Sequence, residues 1–463
     1  MRQDRVYIET YGCQMNEYDS SMIASMLVGD GYSLTTGPED ADVVIVNTCS
    51  VRERAEVRVL GRLRHLRGLA PPHAVIGAVG CVAQRMGKDL LTVVRGLDFV
   101  VGTDSYALLP DAIDRARRGS TAVETAENQT VDYASRPRPL SASLCDFVSV
   151  MRGCNNYCSY CIVPYVRGRE RSLPAKTVTT EVSELVELGM RDVTLLGQNV
   201  NSYADGSLDF AGLLERVNTV PDLTRIRFAT SHPKDLSPRL IAAVAGLDKV
   251  CEHVHLPVQS GSTAILGRMN RRYTRDHYLG LISQLRESVP GVAITTDVIA
   301  GFPGETRPEF EETLSLMREV RFDSAFMFRY SVREGTAAAT LDDDVPEREK
   351  IERLEEVIAL QQSITTEINE GLIGTNVELL IEGPSQRDPS KLFGRTRTGK
   401  AVVLDARRFG SPSRSEEPAS NAPRSIPRPG HLFTVTVNEA SAWTLHATPV
   451  LGEKDLAGPT DGC

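Results

Sequence analysis

Short apolar runs alternate with amphipathic stretches twice along this chain of 463 residues, and that rhythm limits the fold more than any other feature. In residues 1–118, strand patterns at Arg5–Thr10, Val43–Asn47, Ala74–Val79 and Phe99–Val101 are separated by helical patterns at Asp19–Val28, Arg52–Leu66, Ala83–Val94 and Tyr106–Arg117. Asp19 or Ser20 reads as the cap of the first helix. A βαβα order predicts an open parallel sheet with helices on both faces. Residues 119–143 are polar, carry two prolines and lack a period, so they read as a linker. From 144 to 371 the alternation resumes, with strands expected at Phe147–Met151, Val193–Leu196, Arg225–Ala229, His253–Leu256, Ala293–Ile299 and Phe322–Phe328. Six βα units suit a partial (βα)6 barrel, whose chemistry would sit at the strands' carboxyl ends. A long amphipathic helix is expected over Glu347–Glu370.

Residues 372–450 turn to short strands at Val377–Ile381, Leu392–Arg397, Ala401–Leu404, Leu432–Val437 and Ala442–His446, the pattern of a small β-barrel. Inside that module, 406–430 is rich in Pro, Ser, Arg and Ala and reads as a disordered insertion, and 451–463 as a C-terminal tail. The expected whole is a multidomain α/β chain.

Six of the nine cysteines fall at meaningful places on this scheme. Cys154, Cys158 and Cys161 lie in one run, RGCNNYCSYC, just past the first barrel strand. Three thiolates from one loop can hold three corners of an iron–sulfur cube, a group that usually takes four cysteines. The fourth iron is then open, and an open coordination position makes a metal site reactive. Structural zinc would want a fourth ligand at similar spacing, and the nearest downstream candidates, His232 and Cys251, are far off in the chain. Cys13, Cys49 and Cys81 each follow a different strand of the N-terminal sheet, in VYIETYGC, VVIVNTC and VIGAVGC. Ligands of open α/β sheets bind outside the strands' carboxyl ends, so these cysteines converge there and read as a second three-thiolate set. A single cysteine at such a place would be an ordinary core residue.

No apolar run approaches the roughly 18 residues that a membrane helix needs. The opening MRQDRVYIETYGC lacks a signal peptide's apolar core, so the expected location is the cytoplasm, where thiols stay reduced. The net charge of −9 argues against general nucleic-acid affinity. Local balance differs: residues 384–430 carry ten Arg/Lys against four Asp/Glu, and 52–67 six Arg against two Glu. A solvated face is the ordinary reading of such runs.

Together the stretches TYGCQMNEYDS, NTCSVRERA, GCVAQ, RGCNNYCSYCIVPYVRGRER, LLGQNVNSY, RFATSHP, HLPVQSGS, MNRRYT and DVIAGFPGET resemble the radical S-adenosylmethionine (SAM) methylthiotransferases, over nearly the whole chain. Within that family they resemble the branch acting on prenylated adenosine in tRNA. The resemblance implies an N-terminal methylthiotransferase domain, a radical-SAM core and a C-terminal RNA-binding TRAM module. It implies two 4Fe–4S clusters, one on Cys154, Cys158 and Cys161 that also binds SAM, and an auxiliary one on Cys13, Cys49 and Cys81. The implied reaction places a methylthio group on carbon 2 of N(6)-dimethylallyladenosine at position 37 of tRNA, with SAM as methyl donor and as source of a 5′-deoxyadenosyl radical. Sibling enzymes modify threonylcarbamoyl-adenosine in tRNA or a ribosomal-protein aspartate, and either is the alternative substrate. A flavodoxin or ferredoxin would supply electrons to what is expected to be a monomer.

For Gly301 and Gly304, in DVIAGFPGE, the resemblance implies a place near the adenine of SAM; a plain strand-to-helix turn is the competing reading. Gln198 and Asn199 follow a strand end and are candidates for SAM or substrate contact, against a helix-capping role. Gln259 and Ser260 are similar candidates. His253 and His255 read as satisfied core or loop histidines. Arg167, Arg169 and Arg171 are candidates for RNA phosphates, against a solvated basic loop.

Overall fold

The structure, a computed structural model, describes residues 4–50, 53–126, 138–406 and 427–450. The N-terminal part runs β1 (Arg5–Thr10), α1 (Gln14–Gly29), β2 (Ser33–Leu34), β3 (Val43–Thr48), α2 (Glu53–Leu69), β4 (Val75–Gly80), α3 (Cys81–Met86), α4 (Lys88–Val93), β5 (Phe99–Val101), α5 (Leu109–Arg117) and β6 (Ala122–Glu124). Its six strands are parallel, in the order β2-β1-β3-β4-β5-β6. Every residue of β3 and β4 is buried, which is why Val43–Val46 and β4 read as apolar runs rather than alternating ones, with the polar Asn47 and Thr48 at the end of β3 also enclosed. One face packs Val43, Ile45 and Phe99 against Ile23, Leu27 and Ile113; the other packs Val44, Val46 and Ile76 against Val59, Leu63 and Leu90.

Three local expectations need correction. α1 starts at Gln14, not near Asp19, because Asp19 is a fully buried partner of two arginines and no cap. The helix expected over Ala83–Val94 is two short helices that meet at Gly87, which has a positive φ of 51°. The span 119–143, read as a linker, contributes β6 to the sheet; three residues are too few to show a period.

The central part runs β7 (Cys145–Ser149), the short pair β8 (Met151–Arg152) and β9 (Arg171–Ser172), β10 (Asp192–Leu196), a small hairpin β11 (Ala204–Asp205) and β12 (Leu208–Asp209), β13 (Arg225–Phe228), β14 (His253–His255), β15 (Ala293–Ala300) and β16 (Ser324–Arg329). β7, β10 and β13 are parallel neighbours, as are β14, β15 and β16. A parallel bridge from Ile226 to Val250 joins the two groups, so six strands follow one another in chain order around a partial barrel. The core between them and their helices includes Val148, Val193, Ile226, Val254, Ile294, Tyr278 and Phe310. The helix Glu347–Glu370 covers β16.

The last part is a closed barrel in the order β17-β18-β19-β21-β20: β17 (Asn376–Pro384), β18 (Lys391–Thr396), β19 (Ala401–Asp405), β20 (Leu432–Ala440) and β21 (Leu445–Pro449). The last strand begins at Leu445, three residues later than expected, because Ser441–Thr444 closes a turn through the Ser441 N–H donating to the Thr444 carbonyl at 3.0 Å. Most of the insertion expected at 406–430 and all of the tail lie outside the described residues. The barrel sits on the amino ends of the central strands. Arg225, at the start of β13, donates to the Arg395 carbonyl and pairs with Glu378, both at 2.7 Å. Arg397 reaches back to Glu252, and Lys400 to Asp323 at 2.9 Å. No helix of the described residues is long and apolar enough to cross a membrane.

Candidate active site between two cysteine sets

β1, β3 and β4 are neighbours, so the loops that leave their carboxyl ends lie side by side. Cys13 sits directly before α1, Cys49 follows β3, and Cys81 opens α3. Gly12 has φ 137°, and a Cβ there would stand 2.5 Å from the Cys49 Cβ, so only glycine lets these loops close on each other. Polar side chains lock them. Asn16 donates to Asn47 Oδ1 at 3.0 Å and to the Thr48 carbonyl at 2.9 Å, and the Thr48 hydroxyl accepts from the backbone of Val82 at 3.2 Å at the start of α3. The Cys13 thiol is pulled down to about 6, first by a hydrogen bond from Cys49 and also by the charge of Arg167. Cys81 is pushed up by burial and feels both Arg167 and Cys13. Three thiols from three strands therefore form one neighbourhood.

The second set follows β7 and β8. Gly153 has φ 78°, and a Cβ on it would stand 2.0 Å from the Arg169 carbonyl. Its N–H donates to Gln198 Oε1 at 2.5 Å, and the Cys154 N–H donates to the Gly168 carbonyl at 3.1 Å. Asn270 holds the loop from the far side, donating to the Asn156 and Tyr157 carbonyls at 3.3 and 2.9 Å. Cys154 and Cys158 are buried. Burial pushes Cys154 up to about 11 and Cys161 up to about 12, and the nearby Cys158 adds to both.

The two sets face each other across the interdomain contact. α3, which starts with Cys81, packs on α6 (Val163–Arg167), which follows Cys161. Cys81, Ile162 and Val166 form one small apolar cluster. Asp19 of α1, with no exposed side-chain surface, takes Arg152 on one carboxylate oxygen at 2.5 Å and Arg167 on the other at 3.0 Å. These arginines flank the 154–161 loop on either side. Thr103 adds a hydroxyl bond to the Val166 carbonyl at 2.6 Å.

This geometry overturns part of the RNA expectation. Arg167 is buried on Asp19, and Arg171 pairs with Asp104 at 2.7 Å, so both tie domains together. Arg169 stays exposed. Gln198 and Asn199 leave β10, with Asn199 buried and donating to Asp235 at 2.8 Å. Gln259 has φ 70° and bridges to β15, its N–H donating to the Asp297 carbonyl at 2.8 Å and its carbonyl accepting from Ile299 at 2.9 Å. Ser260 is buried against Thr313 at 3.3 Å. The Gly301 N–H donates to Glu305 at 2.7 Å, Glu305 pairs with Arg353, and the Gly304 N–H donates to Asp344 at 2.6 Å, so this turn is anchored to the elements after β16. All these positions lie at carboxyl ends of central strands, on the same side as Cys154. Sequence reasoning missed Arg271, which is buried and donates to Cys158 Sγ at 3.5 Å. In the sequence it is one arginine of a basic MNRRYT turn, and nothing there marks it as turned inward.

The donor set fits iron–sulfur chemistry. Crowded, buried thiols resist ionisation until a polycation takes the protons' place. Among the described residues no three His, Cys, Asp or Glu side chains gather closely enough to grip a single ion. A cubane spreads its thiolates over separate irons and needs no such group.

Comparison with known proteins adds to this picture. The family described as Uncharacterized protein family UPF0004 matches residues 5–102, and the Radical SAM superfamily matches residues 148–317. The chain is 46% identical to a tRNA-2-methylthio-N(6)-dimethylallyladenosine synthase of Moorella thermoacetica, over 96% of this chain and 98% of that protein. It is 45% identical to one of Parabacteroides distasonis, over 96% and 95%. Among solved structures, a radical S-adenosylmethionine methyltransferase from Kitasatospora setae shares the fold with a TM-score of 0.56 at 14% identity, over 73% of this chain and 74% of that one.

Proposed function

The chain belongs to the family of tRNA-2-methylthio-N(6)-dimethylallyladenosine synthases, and from that premise we propose a division of labour between its two cysteine sets. It is a radical-SAM tRNA methylthiotransferase that places a methylthio group on carbon 2 of N(6)-dimethylallyladenosine in tRNA. SAM and a 4Fe–4S cluster serve the reaction. When bound, they supply the electron and the 5′-deoxyadenosyl radical that an unactivated aromatic C–H bond requires.

In this reading Cys154, Cys158 and Cys161 are the three protein ligands of that cluster and leave one iron for SAM. Cys13, Cys49 and Cys81 hold a second 4Fe–4S cluster, on the sulfur-delivering side. Gly153 and Gln198 fix the turn that presents Cys154. Asn199, Gln259, Ser260, Gly301 and Gly304 shape the SAM pocket, mainly through backbone set by their own buried bonds. Exposed Arg169 meets phosphate of the prenylated tRNA, and Tyr157 and Tyr165 offer ring faces to unpaired bases. The electron comes from a flavodoxin or ferredoxin, and the protein acts as a monomer in the cytoplasm.

The observation that carries the reading is the packing of α3 on α6, which sets Cys81 beside the residue that follows Cys161. Two triple Cys→Ala variants test it, scored for iron, acid-labile sulfide, 5′-deoxyadenosine and methylthiolated nucleoside. Loss of Cys154, Cys158 and Cys161 should abolish 5′-deoxyadenosine. Loss of Cys13, Cys49 and Cys81 should stop methylthiolation while some SAM cleavage continues. Equal loss of cleavage in two folded variants would refute the division.

A further inference from the structure

Arg271 is 4% exposed and has no carboxylate partner among the described residues. Its Nε donates to the Tyr273 hydroxyl at 3.0 Å, one Nη to the Pro257 carbonyl at 2.6 Å and the other to Cys158 Sγ at 3.5 Å. The other enclosed arginines among the described residues differ. Arg152 and Arg167 share Asp19, Arg225 has Glu378, and Arg353 has Glu305 and Glu349. Burying a guanidinium without an anion costs several kcal/mol, so a site that keeps one supplies the negative charge by other means. Here the guanidinium is aimed at the Sγ of Cys158, one of the sulfurs assigned to the iron–sulfur group, which brings negative charge of its own when bound.

The backbone shows that this placement is enforced. Asn270 and Arg272, on either side, both adopt left-handed φ values, 56° and 59°, which non-glycine residues enter at a cost. That turn sends Arg272 to solvent and Arg271 inward, while Asn270 binds the cysteine loop itself. The guanidinium is thus held rigidly against the loop that contains Cys158.

We propose that Arg271 is the fixed countercharge of the iron–sulfur group held by Cys154, Cys158 and Cys161, and that it eases the one-electron reduction of that group. The inference rests on the assignment of those cysteines. One electron arrives from an external low-potential donor; no bond forms or breaks, and the added negative charge stays on the cluster beside the guanidinium. Hydrogen bonds to ligand sulfur and local charge are established levers on such potentials.

The test uses full-length protein in a Cys13→Ala/Cys49→Ala/Cys81→Ala background, so that one cluster gives the signal. Midpoint potentials are read by EPR-monitored titration against dithionite, with iron and sulfide counted in each sample. Arg271→Gln should lower the reduced-to-oxidised ratio at fixed potential at least tenfold, a shift of about 59 mV for one electron. Arg271→Lys, which keeps the charge, should change it less than about threefold, or ~30 mV. Iron lost in the Gln variant but kept at the parent potential in the Lys variant also supports the proposal. An unchanged midpoint in an iron-replete Gln variant, equal shifts in both variants, or loss of iron from both would overturn it. The underlying assignment fails separately, if Cys154→Ala/Cys158→Ala/Cys161→Ala retains the same signal in this background.

Discussion

Replacing Asp19 with asparagine keeps the shape of the interdomain contact and removes the carboxylate that Arg152 and Arg167 share. All three side chains are 4% exposed or less, so neither cation can turn to water without moving backbone. Taking one partner from a buried ion pair typically costs 3–5 kcal/mol, because the remaining charge is left uncompensated. The Tyr106 hydroxyl, 3.3 Å from Asp19, offers little compensation. At about 1.4 kcal/mol per factor of ten, opening of this contact should become roughly a hundredfold to a few thousandfold more frequent. Hydrogen exchange reads that directly, as loss of protection in α1 and in residues 163–167. Function should follow the same line. α1 carries Cys13 at its amino end and the two arginines flank the 154–161 loop, so methylthiolated product should fall more than 5′-deoxyadenosine does. Protection within about threefold of the parent in both segments would refute the reasoning, and so would equal loss of the two products.

Gly153→Ala forces a side chain into left-handed backbone against the Arg169 carbonyl, at a cost of about 2 kcal/mol or more, and should lower the iron bound per chain after reconstitution. His232 is 4% exposed and its imidazole is held neutral, its pKa pushed down to about 2 by burial and then by Arg271. The unfolded chain binds one more proton below about pH 6.5, so this contribution to stability is complete above that pH and falls by about 1.4 kcal/mol per unit as pH drops toward 2. His232→Asn should flatten the acid limb of urea stability by one proton; an identical slope would contradict this. Tyr157 and Tyr165, exposed and edge-on at 6.0 Å, should each contribute about 1–3 kcal/mol of base stacking, so Tyr157→Ala should raise KM for tRNA fivefold or more.

The grouping of the cysteines into two sets was legible because Cys13, Cys49 and Cys81 each follow a different apolar strand and Cys154, Cys158 and Cys161 share one loop that follows another strand. Strand-end geometry alone brings such loops together. The long helix was legible to its end residues, Glu347 and Glu370, but not its buried face, which includes Lys350, Arg353, Gln361 and Asn369 while Ile351 is exposed. Asp19 was not, because an acidic residue near a helix start reads as a cap until its partners, more than 130 positions away, are known. Distance in the chain also hid the roles of Arg167 and Arg171, whose partners Asp19 and Asp104 lie 148 and 67 positions away, so that both look like any basic loop. Arg271 was hidden by backbone: only the left-handed turn around it shows which of two adjacent arginines points inward. β6 was too short to carry a pattern. The seat of the C-terminal barrel depends on Arg225, Arg227 and Lys400 finding partners on other domains, a tertiary fact that no window of sequence contains.

That seat sets a length scale. The β-module is fastened beneath the central strands, while the thiol-bearing loops crown their opposite tips. A polynucleotide touching both must travel along the outside of the middle domain, so only a long one can bridge the two ends. A clipped hairpin could enter the crown and still never arrive at the base.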